Sequence, residues 1–190
     1  TDGIVIDGRL IKRGDMSGPK SARMILQNPT VDTAVFEVAR GGILREGLGY
    51  DRNDVAVVTN VTGDHLGLGG IDTLRQLADV KGVLVEAVPR TGTAVLNADD
   101  PNVARMRQSC DGAVVYFSME TDMGQPGFDR VDGHCGRGGA AFVVRHTPEG
   151  DQIVPGRFAL RAIGGGWDYE VFLAWDEHLH EVVVAKLVRP

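Results

Sequence analysis

Thr33-Ala34-Val35-Phe36-Glu37, followed by Val55-Ala56-Val57-Val58-Thr59-Asn60-Val61-Thr62-Gly63-Asp64-His65-Leu66-Gly67, is the stretch on which the fold turns. Its two apolar runs, Thr33–Phe36 and Val55–Thr59, are short, rich in valine and bounded by turn-prone residues. That is the pattern of strands buried on both faces of a parallel sheet. The first run ends on a carboxylate, Glu37. The second ends on Asn60, with Asp64 and His65 close behind. Ligands of open α/β sheets sit in the crevice beyond the carboxyl ends of the strands. An acid and an imidazole delivered there from two strands can share a metal ion. The same residues also fit a solvated strand end at Glu37 and a helix cap at Asp64-His65, and the spacing leaves both readings open.

Working outward, Thr93–Leu96 and Ala113–Phe117 are two more buried strands, and helical stretches separate them. The alternation from Thr33 to Phe117 predicts an α/β fold, a mostly parallel sheet with flanking helices. After His65 comes the glycine loop Gly67-Leu68-Gly69-Gly70, then a helix with Asp72 as its expected N-cap. Leu74, Leu77, Leu84 and Val88 recur on one face at helical spacing. Lys81 falls in that same stripe. Desolvation there would favour a neutral, reactive amine, whereas a lysine at the rim of the stripe would snorkel to water. Asn97 ends the Thr93–Leu96 run, so it borders the same crevice, and Asp99-Asp100-Pro101 opens a capped helix. Ahead of the sheet, Ile4–Ile6, Asp7-Gly8 and Arg9–Ile11 predict a hairpin with a type I′ turn. A short helix begins at Ser17-Gly18-Pro19 and stops at Asn28-Pro29. Ala39 to Gly47 reads as a tight loop carrying the guanidinium forks of Arg40 and Arg45. Such forks suit carboxylate or phosphate oxygens, or else ordinary surface ion pairs.

Beyond Phe117 the pattern changes. Residues 118–139 are rich in Gly and Asp and read as irregular, and Ala140–Val144 with Ile153-Val154 reads as a hairpin around Pro148-Glu149-Gly150. Phe158–Ile163, Glu170–Trp175 and Val182–Val188 predict a small antiparallel tail. The expected division is therefore 1–150 and 151–190. The formal charge of −6 argues against a nucleic-acid surface. No apolar run is long enough to cross a bilayer, and no signal peptide opens the sequence. Cys110 and Cys135 form no metal motif and read as free thiols of a reducing cytoplasm. The first residue is Thr1 and the sequence starts in mid-motif, so it reads as a fragment.

Several long words carry a family resemblance: Thr1-Asp2-Gly3, Gly18-Pro19-Lys20-Ser21-Ala22-Arg23, Leu26-Gln27-Asn28-Pro29-Thr30-Val31-Asp32, Glu37-Val38-Ala39-Arg40-Gly41-Gly42-Ile43-Leu44-Arg45, Asn60 to Gly67, and Leu96-Asn97-Ala98-Asp99-Asp100-Pro101. Residues 1 to about 150 resemble the Mur-ligase-like central part of cyanophycin synthetases. Lys20 stands where that family usually has Gln, and Thr62-Gly63 where it favours small residues. The resemblance implies an ATP- and Mg²⁺-dependent amide ligase. Its substrates would be arginine and the aspartyl side-chain carboxylate of cyanophycin, an Asp-Arg polymer, joined through an acyl-phosphate. It further implies a cytoplasmic, homo-oligomeric parent.

By motif match, Glu37 and His65 would hold Mg²⁺, Lys81 would serve a second metal after carbamylation, and Asn97 would approach the adenine. Asn60 and Asp64 would line the nucleotide site. Arg40 or Arg45 is the candidate for the acyl-phosphate or the acceptor carboxylate. The family's Gly-x-x-Gly-Lys-Thr/Ser phosphate loop does not occur in these 190 residues, so the isolated chain is expected to be inactive.

A second resemblance covers the tail. Ile163 to Asp176 and Val182 to Lys186 are similar to the first three strands of a protein kinase N-lobe. Gly164 and Gly166 match two glycines of the Gly-rich loop and Lys186 its lysine, with Tyr169 departing from the third glycine. The alternatives to a ligase fragment are a non-catalytic α/β module that binds nucleotide or polymer, and part of a kinase-containing fusion.

Overall fold

The computed structural model describes residues 3–64, 66–155, 161–165, 169–176 and 181–188, the last three ranges by their backbone. The chain opens with the hairpin β1 (Gly3–Ile6) and β2 (Arg9–Arg13), paired antiparallel. Asp7 and Gly8 at its tip both take positive φ, 49° and 73°, which is the type I′ geometry expected of Asp-Gly. Helix α1 (Pro19–Leu26) starts on Pro19, whose missing N–H costs nothing in a first turn.

Two expectations fail between α1 and the sheet. Thr33–Phe36 is extended but is no strand, because no ladder partner lies beside it among the described residues. Val35 is 94% exposed, so the burial on which the strand assignment rested is absent. The segment is instead held at its C-terminal side. Ala39 N–H donates to the Ser17 carbonyl at 3.0 Å, and the Phe36 ring stacks on Tyr50 with centroids 5.8 Å apart. The expected loop after it is a helix, α2 (Arg40–Glu46), closed by Gly47 at φ 71°. The Gly41-Gly42 pair does not break it, since the backbone at Gly42 packs directly on Pro19. A Cβ there would sit 2.9 Å from Pro19 Cδ.

The main sheet has the order β3 (Val55–Val58), β4 (Thr93–Asn97), β5 (Ala113–Ser118), β6 (Ala140–Thr147), β7 (Gly150–Pro155). The first four strands run parallel and β7 folds back antiparallel on β6 through Pro148-Glu149. The fold class is therefore as expected: a mostly parallel sheet with flanking helices. Connections between the parallel strands run through α3 (Leu74–Glu86), then α4 (Pro101–Arg105) with a 3₁₀ turn at Met106–Ser109, then α5 (Pro126–Cys135).

Alternation along the strands sets what is buried. Ala56, Val58, Ala94, Leu96, Tyr116 and Ala141 enter one core with Leu77, Val85, Val88, Val103 and Val131 from the connecting segments. Val55, Val57 and Phe142, one step out of phase, are exposed at 58%, 56% and 44%.

Two helix details correct the sequence reading. The N-cap of α3 is Thr73 rather than Asp72. Its side chain accepts from Gln76 N while Gln76 reaches back, a full capping box. Leu74 is accordingly exposed, and the buried face is Leu77, Ala78, Gly82 and Val85. Residues 118–139 are not irregular: α5 forms there despite its glycines, because Val131 and Cys135 bury a face against the sheet. Gly127 has no room for a side chain, since a Cβ would overlap Asp99 Oδ1. His134 closes α5, its ring edge-on to Tyr116 at 4.9 Å and its Nε2 3.0 Å from the Val114 carbonyl oxygen. Cys110 and Cys135 are free thiols. No described helix is long and apolar enough to cross a membrane.

Strands β8 (Arg161–Gly165), β9 (Tyr169–Asp176) and β10 (Glu181–Val188) form a separate antiparallel sheet in the order β8-β9-β10. Of the kinase-like positions, Gly164, Tyr169 and Lys186 lie in these strands, and Gly166 lies outside the described residues.

Candidate functional site

The carboxyl ends of β3 and β4 converge on one tightly tied loop. Three consecutive residues after β3 are each held through the main chain by a different element. Asn97, at the end of β4, donates from Nδ2 to the Thr59 carbonyl at 2.8 Å. Lys81, on α3, donates from Nζ to the Asn60 carbonyl at 2.8 Å. Val61 N–H donates to Asp100 Oδ2 at 2.6 Å, while Oδ1 of the same carboxylate caps α4 by accepting from Asn102 N at 2.8 Å and Val103 N at 3.3 Å. Asn97, Lys81 and Asn60, predicted separately, are thus brought together around residues 59–61. Lys81 is partly buried, in keeping with a rim position on the α3 stripe.

Asp64 is exposed and accepts from the Thr62 hydroxyl at 2.9 Å. His65 lies outside the described residues. Glu37 is exposed, three residues before Arg40. Arg40 donates from Nη1 to the Leu68 carbonyl at 3.1 Å. That bond brings the Glu37 segment alongside the loop that follows Asp64, because Leu68 lies four residues after Asp64. Arg45 is exposed near the far end of α2. Among the described residues, no three of His, Cys, Asp and Glu gather as a metal site.

The neighbouring strand end adds a second knot that the sequence reading missed. Asp99 accepts from the Ser118 hydroxyl at 2.5 Å and from Met119 N at 2.8 Å, and its own N–H donates to Asn97 Oδ1 at 2.8 Å. Glu120 Oε2 accepts from Gly127 N at 2.5 Å, and Arg130 donates to the Ala98 carbonyl at 2.6 Å. Asp99-Asp100 was legible as a helix start. Its ties to Val61, Ser118 and Met119 were not, since nothing local announces them.

The oxygen donors Glu37 and Asp64 are of the hard type that Mg²⁺ takes, and both are exposed, but among the described residues no strand delivers Glu37 to the sheet edge. Asn97 spends one amide N–H on Thr59 and one lone pair on Asp99, leaving one donor and one acceptor. These features define an open α/β domain with a tightly tied polar edge at the carboxyl ends of β3 and β4, the place where ligands of such folds sit.

Comparison with known proteins makes the class specific. Residues 17–153 match the Mur ligase middle domain. The chain belongs to that family. It is 50% identical over 161 residues to the cyanophycin synthetase of Crocosphaera subtropica, which covers 85% of this chain and 18% of that protein. It is 56% identical over 122 residues to the cyanophycin synthetase of Geminocystis herdmanii, covering 64% of this chain and 14% of that protein. The UDP-N-acetylmuramoyl-L-alanyl-D-glutamate–2,6-diaminopimelate ligase of Chlamydia pneumoniae is 30% identical over 120 residues, 63% of this chain and 24% of that protein. The chain thus spans less than a fifth of the length of the two synthetases.

Proposed function

We propose that these residues form the nucleotide-facing middle section of an ATP-dependent amide ligase of the cyanophycin synthetase type. In this reading arginine is added to an aspartyl side-chain carboxylate of the cyanophycin polymer through an acyl-phosphate. The observation that carries it is 50% identity over 85% of the chain, together with the tied crevice around residues 59–61. Mg²⁺ and ATP, when bound, supply charge neutralisation at the phosphates and the phosphoryl group itself. Glu37 and His65 would hold the metal, and Lys81, as its carbamate, would serve a second ion. Asn97 offers its remaining donor and acceptor to the adenine, with Asn60 and Asp64 lining the approach. Arg40 or Arg45 takes the acyl-phosphate or the acceptor carboxylate. The ligase is cytoplasmic and its full-length form a homo-oligomer.

The test is phosphate release in the presence of ATP, Mg²⁺, arginine and an aspartyl primer. Full-length protein carrying these residues releases phosphate only when arginine and primer are both present. In it, Glu37→Ala or His65→Ala abolishes release without changing the circular dichroism spectrum. The 190 residues alone, which contain no Gly-x-x-Gly-Lys-Thr/Ser run, give no turnover. Losing one preorganised donor costs about 10²–10³ in rate, and a whole phosphate cradle removes several. Arginine-dependent turnover by the 190 residues would overturn the argument that they lack a working phosphate cradle, and an unaffected His65→Ala variant would overturn the metal assignment.

The chain is further proposed to divide into a ligase-like part, 1–150, and a tail, 151–190, with strand β7 carrying the ligase-like sheet on to Pro155. A second reading attaches to the tail alone. The consecutive antiparallel order β8-β9-β10, with Gly164 and Lys186 in its outer strands, favours a kinase N-lobe start. A reading frame that continues past Pro190 into kinase catalytic motifs supports it; a frame that does not sinks it.

A further inference from the structure

We infer that Asp100 is a positioning residue of this site, the part that fixes the loop after β3 in place for the nucleotide. The inference rests on the ligase reading above. One carboxylate does two separable jobs. Oδ1 accepts from Asn102 N and Val103 N at the start of α4, the ordinary work of an N-cap. Oδ2 reaches 39 residues back along the chain and accepts from Val61 N–H at 2.6 Å. A cap needs only the first oxygen, and Ser, Asn and Asp serve it about equally. The second oxygen explains why a two-oxygen side chain is useful here.

Val61 is buried at 5% exposure, so its N–H is shielded from water and would be costly to leave unpaired. Thr59 and Asn60, the two residues before it, are exposed, and the other ties in this loop hold their carbonyls. The Val61 bond is thus the tie at the buried end of the loop, and Asp64 and His65 follow within four residues. Asp100 also sits three residues after Asn97, on the turn that carries the proposed adenine contact. It therefore couples the two halves of the crevice, the metal-bearing loop and the base-facing strand end, through a single short side chain.

Asp100→Ser separates the two jobs. The serine hydroxyl still caps α4, but its one oxygen, a bond shorter, cannot also span to Val61. Hydrogen exchange of the 190-residue chain should then show Val61 N–H exchanging about tenfold faster or more, the factor expected for losing a hydrogen bond to a charged group. Asn102 and Val103 N–H should keep their protection. Asp100→Ala should lose protection at all three. In the full-length protein, Asp100→Ser should raise KM for MgATP and lower arginine-dependent kcat by about tenfold or more, as misplacement of a site loop does, while the circular dichroism spectrum stays that of wild type. Unchanged Val61 exchange in Asp100→Ser overturns the inference. So does faster exchange with unchanged KM and kcat, which would make the bond purely structural. Failure of the ligase reading has its own signature: wild-type full-length protein releases no arginine-dependent phosphate, and the nucleotide-positioning role falls with it.

Discussion

Two glycines in helices should respond to alanine with opposite signs. Gly82 lies in the middle of α3, and a Cβ built there meets nothing within 4 Å outside the helix's own backbone. Gly82→Ala should therefore gain the ordinary helix-propensity difference, about 0.8–1.0 kcal/mol. Gly127 lies in the first turn of α5, where its new Cβ would overlap Asp99 Oδ1 and reach within 2.9 Å of Glu120 Oε2. Neither carboxylate can swing away freely. Asp99 is fixed by the Ser118 hydroxyl and Met119 N, and Glu120 accepts from Gly127 N itself. Overpacking of a fixed site costs about 1–3 kcal/mol, and a strained hydrogen bond to a carboxylate about 1.5–3 kcal/mol more. Both exceed the propensity gain, so Gly127→Ala should be net destabilising by about 2 kcal/mol or more. Urea unfolding of the 190-residue chain reads both, with an unchanged slope confirming that only stability moved. The Gly127→Ala variant should also loosen Asn97, whose Oδ1 accepts from Asp99 N. A Gly127→Ala midpoint at or above wild type would refute the locked-carboxylate argument.

Acid should weaken the packing of α5 through His134. Burial lowers its pKa below the ordinary imidazole value of 6.5, with Arg107 and Arg137 acting in the same direction against the Val114 carbonyl. The folded state therefore resists the proton. The stability this residue contributes is complete above pH 6.5 and is lost as pH falls through the lower folded value. The drop in urea midpoint between pH 7.5 and 5.5 should be smaller in His134→Gln than in wild type, and an equal drop would remove His134 as its source. Deleting residues 157–190 should leave the unfolding midpoint of the remainder nearly unchanged, because among the described residues β8, β9 and β10 pair only with one another; a large loss would make the tail an integral element.

The valine-rich strands were legible from their continuous apolar runs, although burial on both faces does not account for them: alternate residues are buried, and Val55 and Val57 are exposed. Val55–Val58, Thr93–Asn97 and Ala113–Ser118 all formed close to where the sequence put them. Thr33–Phe36 has the same texture and formed no strand. A strand is defined by its neighbour, and composition does not say whether one is present. Helix α5 was hidden by Gly127 and Gly133, which lower intrinsic propensity. Its Gly127 is there because Asp99 occupies the space a side chain would need, a contact 28 positions away in sequence. The site divides in the same way. Asn97 was legible as a polar residue ending a strand. The bond from Asp100 to Val61 depends on two segments meeting across the sheet, which no local pattern encodes.

The order of the main sheet has a consequence for how the chain acquires its shape. From β3 to β7 each strand lies beside the next one made, with no strand inserted between earlier neighbours. From β3 onward each new βα unit can therefore dock on an edge that already exists. No finished pairing has to reopen, and each docking closes only the loop just synthesised, which keeps its entropic cost low. On a ribosome this architecture would assemble in the order of translation, with β7 arriving last to turn back on β6 and close the growing edge with an antiparallel strand.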